Sequence, residues 1–156
     1  MDCQYIRQFL EEEPNLLLRD NVKMHFTASA WVLNPSKDKV LMLYHNIYQS
    51  WSWSGGHADG EGDLLSVAMK EVKEESGLVS LKPLSDSPIS IEILGVQPHY
   101  KKQKYVSAHL HLNYTFLLHN TKEEKLKICP EENSKVDWLS PDEAVRSSTE
   151  AWMKPI

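Results

Sequence analysis

The chain has 156 residues, 41% hydrophobic and 25% charged, with a formal net charge of -5 when its seven histidines are neutral. That is the make-up of one globular domain with its own core, so a single domain over 1–156 is expected. The acidic balance and the scattered Lys and Arg disfavour a nucleic-acid partner. No run approaches the ~18 apolar residues of a membrane helix, and the opening MDCQYIRQFLEEEP lacks a basic start followed by an apolar run, so a soluble cytoplasmic protein is expected.

In chain order, QYIRQFL (4–10) predicts a short helix, ended by the acidic run 11–13 and Pro14. Cys3 and Cys129 lie far apart and in no metal-ligand spacing, so both read as ordinary thiols. MHFTASAWVL (24–33) predicts a strand closed by Asn34-Pro35, and KVLMLYH (39–45) its hairpin partner. SWSWS (50–54) runs straight into Gly55-Gly56, and SGGHADGEGD reads as a glycine-rich loop leading into a helix over 63–77. Asp63 suits the N-cap of that helix, and Gly77 the left-handed position just past its end. ISIEILGV (89–96) predicts a strand, and KPLSDSPIS (82–90) a flexible loop. From Val106 to Leu118 apolar and polar residues alternate, which predicts a long strand with one apolar face. VDWL (136–139) predicts a short strand, and Ser140-Pro141-Asp142-Glu143 a helix start with a capping box. Strands interrupted by one helix and closed by another indicate a mixed α/β domain.

The segment KEVKEESG concentrates Glu71, Glu74 and Glu75 in about one helical turn, where like charges four residues apart cost a few tenths of a kcal/mol, roughly. At about 100° per residue, Leu64, Ala68, Glu71 and Glu75 share one row, so Glu71 and Glu75 sit at the edge of the apolar stripe and Glu74 further out. Solubilising glutamates belong opposite, near Ser66, Lys70 and Lys73. A carboxylate beside an apolar face must be protonated, paired or bound to a cation, and a divalent metal satisfies three at once. The upstream glycines form neither a P-loop, which needs GK[ST], nor a GxGxxG fingerprint.

Residues 56–78, GHADGEGDLLSVAMKEVKEESGL, resemble the Nudix box GX5EX7REUXEEXGU, matching it at Gly56, Glu71, Val72, Glu74, Glu75, Gly77 and Leu78. Within that superfamily SWSWSGGHADGEGDLL is most similar to a bacterial group of MutT-type proteins of unassigned substrate. The resemblance implies a Nudix fold, a mixed β-sheet sandwiched between α-helices (α/β/α). It also implies Mg2+- or Mn2+-assisted hydrolysis of a diphosphate linking a nucleoside to another group. Magnesium takes oxygen ligands from a few carboxylates plus water and phosphate, and Glu71, Glu74 and Glu75 match that role. The family's base is a box glutamate or an acid on a later loop. Glu74 or Glu75 is accordingly base or ligand, with Glu132 the candidate outside the box and Glu131 beside it; a solvated loop is the plainer reading of both.

Two positions depart from the box. Gly62 stands where its first Glu belongs, flanked by Glu61 and Asp63, and Lys70 replaces an Arg that orients a metal-binding Glu. A lysine keeps the charge without the bidentate grip, and it suits pairing with Glu74 at i+4. These departures favour a second reading, a Nudix-like domain that binds a nucleotide derivative without turning it over; the three glutamates oppose it. Isopentenyl-diphosphate isomerases share the fold, but neither cysteine lies in the loop before the box. Homodimers are frequent in the family.

Other residues bear on substrate. Trp51 and Trp53 share one strand face, where core packing is the first reading and stacking on a ring the second. Gly55, Gly56 and His57 are candidates for a phosphate-side loop; for His57 a loop histidine without phosphate contact is the first reading and contact the second. His45, Tyr48 and Tyr100 lie in or beside loops, where specificity residues concentrate. His109 and His111 face one way, as a zinc pair would, but no cysteine or third histidine stands nearby in the chain, so a polar sheet face is expected. Glu92 reads as exposed on the polar side of its strand.

Overall fold

The computed structural model describes residues 2–150; the other positions of the expected 1–156 domain lie outside them. Its elements are α1 (Asp2–Glu12), β1 (Met24–Leu33), β2 (Val40–His45), β3 (Ser50–Ser52), β4 (Ser54–His57), α2 (Leu64–Ser76), β5 (Leu81–Pro83), β6 (Ser90–Val96), β7 (His99–Lys101), β8 (Lys104–Val106), β9 (His109–Asn120), β10 (Asn133–Leu139) and α3 (Pro141–Ser147).

β1 and β9 run parallel at the centre of a mixed eight-stranded sheet, with Met24 opposite Leu110 through to Leu33 opposite His119. β2 and β10 extend the sheet beyond β1, while β4 also pairs with β1, and β5 and β6 pair with β9. Because side chains alternate across a strand, Ala28, Ala30 and Val32 point to one face and Thr27, Ser29 and Trp31 to the other. On the first face α2 inserts Val67, Ala68 and Val72 against Ala28, Ala30, Phe116 and Leu118, all buried. The small alanines of β1 let the helix approach closely. Each buried Val or Leu there stabilises the fold by about 1.5–3 kcal/mol, so a charge at Val72 would break the contact. α1 packs Ile6 near Met24, Phe26 and Leu112, and α3 places Ala144 near Met42 and Trp53.

The expected α/β/α architecture is therefore present, with several local differences. The 39–45 segment pairs antiparallel with β1, as a hairpin should. Helix α1 continues through Glu11 and Glu12, where Gln8 donates to the Glu12 carboxylate at 2.8 Å, and stops before Pro14. The segment expected to be a loop at 82–90 begins with β5, paired to β9. The long strand starts at His109 rather than Val106, because Lys104–Val106 turns back on β7 as a hairpin. Its polar face is buried as well: Thr27 Oγ1 donates to Asn113 Oδ1 at 2.9 Å, and Asn113 Nδ2 donates to Ser29 Oγ at 2.8 Å and to Glu92 at 3.0 Å. Glu92 is thus half-buried in a cross-strand network instead of lying exposed.

Candidate functional site

The box helix is capped as its sequence predicts. Asp63 accepts from the Ser66 N–H at 3.2 Å, and Gly77 adopts a left-handed φ of 76° while its N–H bonds to the Lys73 carbonyl. The segment before it is less of a loop than expected, since Ser54, Gly55, Gly56 and His57 form β4 against β1. The true loop is 58–63, where Arg19 grips Asp59 with two bonds of 2.7 Å. Gly62 sits there in open space, and Glu61 accepts from the Asp63 N–H at 2.7 Å, so neither neighbour of Gly62 points to the box glutamates in these bonds.

β4 runs against the row of α2 that carries Glu71 and Glu75. Gly56 is pressed to Glu71 so closely that a Cβ would lie 2.3 Å from its carboxyl carbon. Ser54 Oγ donates to Glu75 Oε2 at 2.6 Å. Glu75 is buried, and burial pushes its carboxyl up to about 8, aided by the charges of Glu71 and Glu132 and opposed by the Ser54 bond. Burial, then the neighbouring Glu74, also raises Glu71.

Glu74 lies further out, in a surface groove with Lys70 and Lys73, and Lys70 stands 3.8 Å from it in the expected i,i+4 pair. The two loop glutamates differ from each other. Glu131 is exposed near Lys102, whereas Glu132 is half-buried, lies 3.5 Å from Lys101, and acts electrostatically on Glu71, Glu75 and His45. The 129–133 turn holds it there: Asn133 Nδ2 donates to the Glu75 carbonyl at 3.0 Å, and the Asn46 N–H donates to the Glu132 carbonyl.

The two tryptophans separate. The strand breaks at Trp53, which is buried edge-on to Trp31 at 5.5 Å, while half-buried Trp51 meets Tyr44 at 5.8 Å. Trp53 belongs to the core cluster of Val40, Met42 and Ala144. Beside Glu132, His45 packs on Tyr48 at 4.6 Å, and Tyr48 faces His99 at 6.5 Å. Tyr100 points away, 73% exposed.

The expectation of a plain polar face around His109 and His111 is overturned by His25 and His57. The His25 ring lies 4.9 to 5.1 Å from those of His57, His109 and His111. Burial pushes His57 down to about 3 and His111 to about 2, and it lowers His25 too. Sequence reasoning missed the cluster because only the parallel pairing of β1 and β9 sets His25 opposite His111.

The residues present suit a divalent cation at the glutamate group. Among the described residues neither Glu71 nor Glu75 forms an ion pair: Lys70 and Lys101 stand closer to Glu74 and Glu132, and the charge of Lys70 only partly offsets the rise at Glu71. Carboxylates crowded this way, one buried and one half-buried, favour either protonation or a bound cation.

Comparison with known proteins bears on the fold and the family. A family model described as the NUDIX domain matches residues 23–156. No curated protein sequence matches the chain. Among solved structures, an Ap4A hydrolase of C. elegans in a binary complex superposes with a TM-score of 0.63 at 18% identity, over 83% of this chain and 90% of that one. The dihydroneopterin triphosphate pyrophosphohydrolase of E. coli gives 0.60 at 17% identity, over the same shares of 83% and 90%. A MutT protein of Bacillus halodurans gives 0.51 at 22% identity, over 83% of this chain and 76% of that one. At these identities the likeness is one of fold, while the NUDIX match spans most of the sequence: the chain belongs to the Nudix family.

Proposed function

We propose that the protein is a cytoplasmic Nudix hydrolase that uses Mg2+ or Mn2+ to split the diphosphate of a nucleoside diphosphate linked to another group. The observation that carries this reading is the convergence of Glu71, Glu75 and Glu132, with Gly56 and Ser54 holding the first two. Its relatives in fold include proteins described as acting on Ap4A and on dihydroneopterin triphosphate, both polyphosphate esters.

Glu71, Glu74 and Glu75 would hold the metal, Glu74 from the edge of the helix. A bound Mg2+ supplies charge neutralisation on phosphate oxygens and acidifies a water molecule. Glu75 is the favoured proton acceptor of the box, because Ser54 Oγ, donating to Oε2 at 2.6 Å, fixes its carboxylate beside Glu71. Water oxygen bonds to phosphorus, the bridging P–O bond breaks, and the phosphorylated fragment departs. Glu132 is the alternative acceptor, and Lys101 beside it supplies positive charge toward the substrate's phosphates. Gly55 and Gly56 keep the strand narrow where the diphosphate passes; Lys70 tethers Glu74. Trp51, half-buried, remains a stacking candidate, whereas Trp53 serves the core.

The test is formation of the two monophosphate products, read directly or as phosphate freed by a coupled phosphatase, from a panel of nucleoside diphosphate derivatives, with Mg2+, with Mn2+ and with excess chelator. Metal-dependent turnover of any member supports the reading. Binding of a panel member without turnover favours the non-catalytic alternative, for which the open space around Gly62 is the specific observation.

A further inference from the structure

His25, His109 and His111 bring one imidazole nitrogen each to a common point, all within 4.8 Å of one another. The Nε2 atoms of His109 and His111 are 3.1 Å apart. Two nitrogens bound at about 2.0–2.1 Å to one tetrahedral ion lie roughly 3.3–3.4 Å apart, so this pair is nearly set, and His25 completes the site by side-chain rotation toward it. The backbone sets this up: His109 and His111 project from one face of β9, and His25 lies directly opposite His111 in the parallel register.

The hydrogen bonds fix which nitrogens face inward. His25 Nδ1 bonds to the Asn21 carbonyl at 3.0 Å, and His109 Nδ1 to the Ser107 carbonyl at 2.8 Å. A carbonyl only accepts, so both Nδ1 atoms carry the hydrogen and both Nε2 atoms present lone pairs. Backbone carbonyls on the outer nitrogen are the usual support of a metal-binding histidine. His25 Nε2 is buried with no hydrogen-bond partner among the described residues. An orphaned lone pair there costs free energy unless a hydrogen-bond donor or a cation meets it. In the metal-free protein His111 must donate its Nε2 hydrogen to His109 Nε2. An ion would take the place of that hydrogen, leaving His111 protonated on Nδ1 and all three rings neutral.

We propose that His25, His109 and His111 form a second metal site, separate from the glutamate group, for a transition ion such as Zn2+. An all-imidazole donor set selects zinc, copper or nickel over Mg2+ and Mn2+, which prefer oxygen. His57 is the next ring outward, 5.1 Å from those of His25 and His111. A surface depression lined by Lys23, Val96, Gln97 and His109 adjoins the group on the His109 side. His57 follows Gly56, so the site stands next to the strand that positions Glu71.

The experiment is Zn2+ titration of the chelator-stripped full chain against a competing chromophoric chelator, in excess Mg2+ to fill the glutamate group. One equivalent is expected to bind. His109→Gln and His111→Gln should each weaken it about 100-fold or more, while Glu75→Gln leaves it unchanged. Failure to bind one equivalent, or loss with Glu75→Gln but not with the histidine variants, overturns the proposal. Should a histidine variant not fold, 15N-resolved imidazole spectra of the unaltered chain decide. Addition of Zn2+ should move the His111 hydrogen from Nε2 to Nδ1; an unmoved His111 would overturn the site. Neither readout depends on hydrolytic activity.

Discussion

Gly56 and Glu71 are in contact across the β4–α2 junction, and a single added methyl on the glycine would overlap the carboxyl group, 2.3 Å from Cδ and 2.5 Å from Oε2. The side chain that must yield is a flexible one. Gly56→Ala should therefore displace Glu71 at little cost in stability, while lowering turnover about 100-fold, the loss expected of an ångström-scale misplacement. Gly55→Ala should do the reverse. Its Cβ would meet the Ala28 carbonyl oxygen at 2.9 Å and Ser29 Cβ at 2.8 Å, which cannot swing away. Overpacking of this kind costs about 1–3 kcal/mol. Thermal melts beside rate measurements distinguish the two variants.

Glu74→Gln and Glu75→Gln should each lower turnover by about 10²–10⁴ while the fold survives, because charge is lost at nearly constant shape. Lys70→Arg should leave the rate equal or higher, since it restores a bidentate partner for a carboxylate. Wild-type rates in both Gln variants would remove the site assignment. A large fall with Lys70→Arg would show that the lysine has a role of its own.

The raised carboxyl of Glu75 makes stability depend on pH in a defined direction. Folding lifts it from the ordinary 4.5 to about 8, so within that interval the folded chain holds a proton that the unfolded chain has released. Stability from this group is complete below 4.5 and is lost as pH rises through about 8. In chelator, the midpoint of thermal unfolding should fall between pH 6.5 and 8, and Glu75→Gln should flatten that descent. An undiminished descent in the variant would assign it to another group.

His57 and His111 act on the other side. Burial lowers them from 6.5 to about 3 and about 2, so below 6.5 the unfolded chain takes up protons that the folded chain refuses. Their contribution is present above 6.5 and is lost as pH falls toward those values. His57→Gln should soften the acid limb of the same melting curve. Equal acid limbs in variant and parent would show that His57 is not a source of it.

Much of this was legible in the sequence. The α2 helix announced itself through its apolar row, Asp63 and Gly77, all signals confined to a few residues. The burial of Asn113 and Thr115 did not, because the partners that satisfy them, Thr27, Ser29 and Glu92, come from strands 21 to 86 residues away. His25 joins His111 only through the β1–β9 register, which no local pattern encodes. The β7–β8 hairpin was hidden for a different reason. Its turn places Lys102 and Gln103 at positive φ, 48° and 63°, where Asn-Gly would have been the recognisable signature. Lys101, which stands by Glu132, was missed with it.

Half-buried Glu71 and buried Glu75 are the two α2 carboxylates on which the proposed metal-dependent diphosphate hydrolysis depends. The most direct measurement is monophosphate product formation by the unaltered chain and by Glu71→Gln and Glu75→Gln, each across a Mg2+ titration on one substrate. Saturable Mg2+-dependent turnover in the parent, with a loss in both variants that added Mg2+ does not restore, is the predicted result. Turnover that persists in chelator, or that both variants retain, would contradict it.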